Sequence, residues 1–231
     1  MASRGAAHGD GHLIAEQRTF YDLRAPDFRD ETAPDRRIMG APTPELIRAL
    51  VDEFGPVGDV LELACGTGVF TRELARHART VTAIDGSPRM LERSRREVDH
   101  ENVAYVQADI FDWHPDRRYD AVFFGFWLSH VPPARFDDFW SLVHSCLGPG
   151  GRVGFVDEDD RGSDNDDLRV VDDVPVARRT LRDGRTFDVI KLYWNAEELE
   201  ARLRSLGWAG SVRRVGETFL YGELARSLED A

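Results

Sequence analysis

Along most of the chain, short apolar runs of strand length alternate with stretches in which apolar residues recur at helical spacing. Residues 59–64 (DVLELA), 80–85 (TVTAID), 102–107 (NVAYVQ), 119–125 (YDAVFFG) and 152–156 (RVGFV) are the runs. Between them, residues 43–54 place Leu46, Ile47, Leu50 and Val51 on one helical face, with Thr43 as cap and Pro44 at the first helical position. Ser87 and Pro88 repeat that signal for a helix to about residue 98, and residues 12–21, 69–77 and 134–147 read as further helices. Strands that are apolar on both faces and alternate with helices predict an α/β fold, a doubly wound parallel sheet covered on both sides.

After residue 156 the rhythm changes. Residues 157–167 (DEDDRGSDNDD) are acidic, and two strand-like runs, 176–181 and 186–193, then flank Asp183-Gly184, the signature of a two-residue hairpin turn. A β-hairpin lid over about 176–194 is expected. In the register of a two-residue turn, Arg178 and Lys191 share one face and Arg179 stands opposite Asp188 on the other; a bulge exchanges the two arginines. Asn195 caps a helix to 206, and 208–215 and 218–224 close the chain as an antiparallel pair.

A length of 231 residues suits one α/β domain, taken as 12–231 behind a disordered polar tail at 1–11. That tail lacks the apolar centre of a signal peptide, and no run approaches the roughly 20 apolar residues of a membrane span. The net charge of -12 disfavours nucleic acid and points to a small-molecule partner. Cys65 and Cys146 lie in apolar runs without metal spacing, which fits a cytoplasmic protein without a metal. The acidic run lacks the spacing of a calcium loop and reads as a solvated loop.

The candidate chemistry sits where the strands end. The first strand runs into Glu62-Leu-Ala-Cys-Gly66-Thr-Gly68, glycines at a sharp turn where backbone must approach a ligand. The third position of a dinucleotide fingerprint is Thr71 rather than glycine, against a pyrophosphate cofactor. Asp85 ends the second strand, where a carboxylate accepts ribose hydroxyls, and Asp109 follows the third, facing an adenine amino group or capping a turn. Three acids at three consecutive strand ends suit an adenosyl ligand without phosphate. After the fourth strand, His130 is a base, a substrate ligand or a histidine satisfied by backbone, and Trp127 a pocket wall or core residue. The [DN]-P-P-[YF] motif of amino-methylating enzymes is absent: Pro132-Pro133 lies between Val131 and Ala134. The lid either holds an anion with its cations or is a solvated hairpin with a surface Arg179–Asp188 pair.

The run 60–68 resembles motif I of class I methyltransferases dependent on S-adenosylmethionine (SAM), with Ala64 in place of the first glycine. Residues 83–90 resemble the ribose-binding segment, and 147–152 the turn before the fifth strand. The resemblance implies a seven-stranded Rossmann-like sheet completed by the terminal antiparallel pair. It also implies that Glu62, Ala64, Gly66, Gly68, Asp85, Gly86 and Met90 hold SAM. Asp109 and Ile110 would flank the adenine, Phe126 the sulfonium, and Tyr21 and Arg24 the methionine end. More narrowly, 120–131 (DAVFFGFWLSHV), 178–185 (RRTLRDGR) and Lys191 resemble the phosphonate O-methyltransferases of dehydrophos biosynthesis, which implies a small phosphonic acid held by His130, Arg179 and Lys191. Residues 29–39 depart from that pattern and contain no tyrosine. Because the register and the resemblance choose different arginines, Arg178 and Arg179 both stand as candidates. Two other functions remain open: methylation of a neutral natural product with His130 as base, and SAM binding without catalysis.

Overall fold

The structure, a computed structural model, describes residues 9–28 and 42–227, with the side chains of 163–165 excepted. Among these, strands β1 (Asp59–Leu63), β2 (Thr80–Asp85), β3 (Val103–Gln107), β4 (Tyr119–Gly125), β5 (Leu147–Glu158), β9 (Trp208–Val215) and β10 (Phe219–Arg226) form a seven-stranded sheet ordered β3-β2-β1-β4-β5-β10-β9. The first five are parallel, and β10 runs antiparallel to both β5 and β9. Helices α2 (Pro44–Phe54), α3 (Val69–Leu74), α4 (Pro88–Glu97), α5 (Phe136–Cys146) and α6 (Ala196–Ser205) cover the sheet. The capping signals operate as expected: Thr43, Ser87 and Asn195 accept backbone N–H groups of α2, α4 and α6.

Strand periodicity divides the core. Val122 and Phe124 of β4 pack with α5 and α6 around Phe139, Trp140 and Phe155, while Ala121 and Phe123 pack with α2 and α3 around Phe54, Phe70 and Leu74. The fifth strand starts at Leu147, not Arg152. Leu147 pairs with Tyr119, and the ladder then shifts register before Ala121 pairs with Arg152, so the glycine-rich turn becomes an irregularity within the strand.

The lid is larger than a hairpin. β6 (Leu168–Val171), β7 (Val174–Thr180) and β8 (Thr186–Ile190) form a three-stranded antiparallel sheet, and Asp172 and Asp173, at φ 49° and 63°, make the β6–β7 turn. Arg178 pairs with Asp188 and Arg179 with Phe187, closing around a three-residue loop, 182–184, with Gly184 at φ 87°. The two-residue register is thereby corrected, and the arginines exchange faces. The acidic run is also corrected. Its first three residues, Asp157, Glu158 and Asp159, are buried because β5 lies between β4 and β10, and the chain leaves the sheet only after them.

Helix α1 (Gly11–Arg24) packs Leu13 and Phe20 against the lid sheet. Asp10, buried, pairs bidentately with Arg135, and Glu16 accepts the Asp188 N–H, so the residues just before and within α1 are tied to both layers. Of the tail expected at 1–11, residues 1–8 lie outside the described residues, as do residues 29–39. No described helix is long and apolar enough to cross a membrane.

Candidate active site

The carboxyl ends of β1, β2 and β4 open into a cavity of about 390 Å³ roofed by α1. Backbone geometry shapes its floor. Ala64 and Phe126, which follow β1 and β4, take left-handed φ values of 53° and 56°, a conformation costing a side-chain-bearing residue roughly 1–2 kcal/mol. Gly66 has φ 54° and would place a Cβ in open space, so its backbone is approachable from the cavity. Gly125 is packed from behind: a Cβ would stand 2.2 Å from the Phe70 ring.

Asp85 ties two loops together, accepting the Gly66 N–H and the Ser87 N–H at 2.8 Å each. Burial pushes its carboxyl up to about 6 against the lowering by those two bonds. Asp109 accepts the Phe111 N–H at 3.1 Å and pairs with Arg18 at 3.3 Å, so it caps a turn and lines the cavity at once. Gly86, Met90 and Ile110 line the same end, and Tyr21 and Arg24 reach it from α1.

At the other end, His130 closes a 3₁₀ turn (Leu128–His130) after β4. Its Nδ1 lies 2.7 Å from the Ile190 carbonyl, which can only accept, so Nδ1 carries the proton. Nε2 therefore accepts the Tyr21 hydroxyl at 2.8 Å. Burial, helped by the Lys191 and Arg179 charges, holds the imidazole well below its ordinary range and keeps it neutral. Lys191 is buried against Glu158, donates to the Ser129 hydroxyl at 3.1 Å and stands over the Tyr193 ring. Arg179 forks onto Asp166 at 2.6 and 2.8 Å, and Tyr193 donates to the same carboxylate. Burial opposes the guanidinium charge, and the Asp166 bonds outweigh it.

Three candidates fall outside the cavity lining. Glu62 is sealed in β1 at 1% exposure, where burial pushes its carboxyl up to about 8. Gly68 caps α3 at φ 81°, and a Cβ there would strike Ser94 and Val98 of the neighbouring helix end, a packing demand. Arg178 points to the half-exposed face against Asp188 at 3.4 Å. Sequence reasoning missed Gln17, whose amide donates to the His130 carbonyl, and the carboxylates Glu158 and Asp166 that meet the two cations. Alternation carried two residues further along β5 would have suggested Glu158; nothing local marks Asp166. Among the described residues, no group of three His, Cys, Asp or Glu is placed to hold a metal.

The approachable Gly66 backbone, the Asp85 and Asp109 carboxylates and the apolar walls at Met90 and Ile110 fit SAM, a cofactor with an adenosine and no phosphate.

A family model described as a methyltransferase domain (Methyltransf_25) matches residues 60–151. Nodulation protein S of Rhizobium tropici is 30% identical over 105 residues, 44% of this chain and 43% of that protein. The ubiquinone biosynthesis O-methyltransferase of Erwinia tasmaniensis is 35% identical over 104 residues, 42% of this chain and 40% of that protein. The match thus spans less than half the length of these curated relatives. DhpI, solved with SAH and with SAM and HEP, is 39% identical, with 96% of this chain and 100% of that chain covered at TM-scores of 0.77 and 0.78. With this fold, this cavity and that similarity over its whole length, the chain belongs to the class I SAM-dependent methyltransferases, and SAM is its methyl donor.

Proposed function

We propose that the chain methylates an oxygen of a small anionic metabolite in natural-product biosynthesis, with a phosphonate favoured over a carboxylate. The observation that carries this reading is the pair of buried cations, Arg179 and Lys191, lining the same cavity as Gly66 and Asp85. Each is paired with a carboxylate, as buried cations are, and still lines the cavity with a charged donor for an acid oxygen. The similarity to DhpI, solved with SAM and HEP together, supports a small molecule beside the donor.

When bound, SAM supplies a methyl group already activated on its sulfonium. The residues proposed to hold it are Asp85 and Gly86 at the ribose, Asp109, Ile110 and Met90 around the adenine, and the Ala64–Gly66 and Phe126 backbones around the sulfonium. Tyr21 and Arg24 would close over the methionine end. Arg179, Lys191 and His130 would orient the acid, whose oxygen is its own nucleophile and requires no base. Orientation is then the main contribution of the protein, worth up to roughly 7–11 kcal/mol where reacting atoms are held in line. A reducing cytoplasm suits the two free, buried thiols.

A second reading, methylation of a neutral oxygen or nitrogen with His130 as base, draws on the neutral imidazole whose Nε2 already accepts the Tyr21 hydroxyl. Methyl transfer from labelled SAM to a panel of phosphonates, carboxylates and neutral hydroxy compounds separates the two. Transfer to phosphonates, with His130→Ala mainly raising KM, supports the first. Transfer only to neutral compounds, abolished by His130→Ala, replaces it with the second.

A further inference from the structure

Resting on the acid-substrate reading above, we propose that Glu158 sets the charge state of the substrate. The site takes a phosphonate as its singly protonated monoanion and rejects the dianion, with the proton shared between a substrate oxygen and the Glu158 carboxylate.

Charges at this end of the cavity are already matched. Lys191 and Glu158 touch with side-chain exposures of 1% and 6%, and Arg179 and Asp166 with 3% and 1%. Two cations suited to an anion therefore bring little net charge to it. Of the two carboxylates only Glu158 lines the cavity, so an oxygen arriving on Lys191 meets Glu158 across one ammonium.

Among the described residues, the other cations that line the cavity are engaged elsewhere, Arg18 on Asp109, Arg24 over the Phe28 ring and Arg72 on the Glu97 carbonyl. From β5, Asp157 is buried with its oxygens taken by the Ser129 and Glu158 N–H groups. The 3₁₀ turn presents the Ser129 hydroxyl and the neutral His130, α1 presents the Tyr21 hydroxyl, and Tyr193 gives its hydroxyl to Asp166. The sulfonium of bound SAM offsets one negative charge, so a dianion would leave the other, or both beside SAH, in a buried cluster whose own cations are spoken for. Two acid oxygens held against one cation away from water keep one proton between them, as paired carboxylates do.

The step balances. The unprotonated phosphonate oxygen forms the O–C bond as the C–S bond breaks, and that electron pair stays on sulfur. The shared proton then leaves to solvent as the ester departs as a monoanion.

The test is calorimetric binding of methylphosphonate to the SAH-loaded protein, above the second ionisation of the ligand, in two buffers of different protonation enthalpy. Wild type is expected to take up about one proton per phosphonate bound, as a shared-proton pair requires. Glu158→Gln is expected to take up almost none and to bind the dianion at least roughly tenfold more tightly. Phosphonate binding to wild type without proton uptake overturns the proposal and leaves the acid-substrate reading standing, and it decides the matter even if the variant does not fold. Uptake unchanged in Glu158→Gln also overturns it. Absence of binding at millimolar methylphosphonate both below and above its second ionisation overturns the phosphonate reading itself, and the proposal with it.

Discussion

Alanine substitution of the two neighbouring arginines of β7 should have very different consequences, and the difference measures the lid register. Arg178 meets Asp188 at 3.4 Å with side-chain exposures of 42% and 20%, so its loss should cost roughly 0.2–1 kcal/mol, nearer the lower figure at that distance. Arg179 is 3% exposed and forks onto an Asp166 carboxylate that is 1% exposed. Removing it strands a buried anion, which costs roughly 3–5 kcal/mol. For a chain of this size each kcal/mol moves the melting temperature by about 2–4 °C, so Arg179→Ala should melt roughly 6–20 °C lower and Arg178→Ala barely shift. Urea unfolding supplies the free energies, with an unchanged slope confirming that the denatured state is comparable. Adding Asp166→Asn to Arg179→Ala removes the stranded charge, keeps an acceptor for the Tyr193 hydroxyl, and should recover a large part of the loss. Equal losses would refute this assignment, and a larger loss for Arg178→Ala than for Arg179→Ala would restore the two-residue turn, in which Arg179 is the surface residue.

Three further outcomes are expected at the cavity floor and in the strand beneath it. Ala64→Gly should stabilise the protein by roughly 0.5–1 kcal/mol in urea, since glycine takes φ 53° without the steric penalty of a Cβ; destabilisation would count against that strain. Gly125→Ala should cost about 1–3 kcal/mol and reduce the thermal shift on adding SAM, because the new methyl group meets the Phe70 ring; an unaltered SAM response would mean the ring yields without disturbing the site. Glu62, raised from 4.5 to about 8 in the fold, binds its proton more tightly folded than unfolded, so its share of stability is complete below pH 4.5 and lost as pH rises to about 8. Asp85, raised from 3.8 to about 6, acts in the same direction. Melting temperature of the SAM-free protein should therefore fall across that window, more shallowly in Glu62→Gln, and an identical slope in the variant would exclude Glu62 as the source.

Sequence alone determined the elements whose signals are local. Unbroken apolar runs can satisfy neither face in water, so β1, β2 and β4 were legible to within a residue, and Thr43, Ser87 and Asn195 announced their helices through side chains that bond the next turn. The same locality marked much of the cavity lining, because Asp85 ends a strand and Gly66 and Asp109 lie two or three residues beyond one. What depended on contacts between distant segments had to await the tertiary structure. Whether Arg178 or Arg179 turns inward hangs on one residue of loop length, since a shift of one exchanges the faces of a strand. Whether the acidic run is solvated depends on β5 being flanked by both β4 and β10, which buries Asp157 and Glu158. The same holds for charge balance at the other end of the cavity, where Lys191 meets a carboxylate 33 residues away and His130 a tyrosine 109 residues away. Periodicity reports which face a residue takes, but only packing decides which opposite charge waits there.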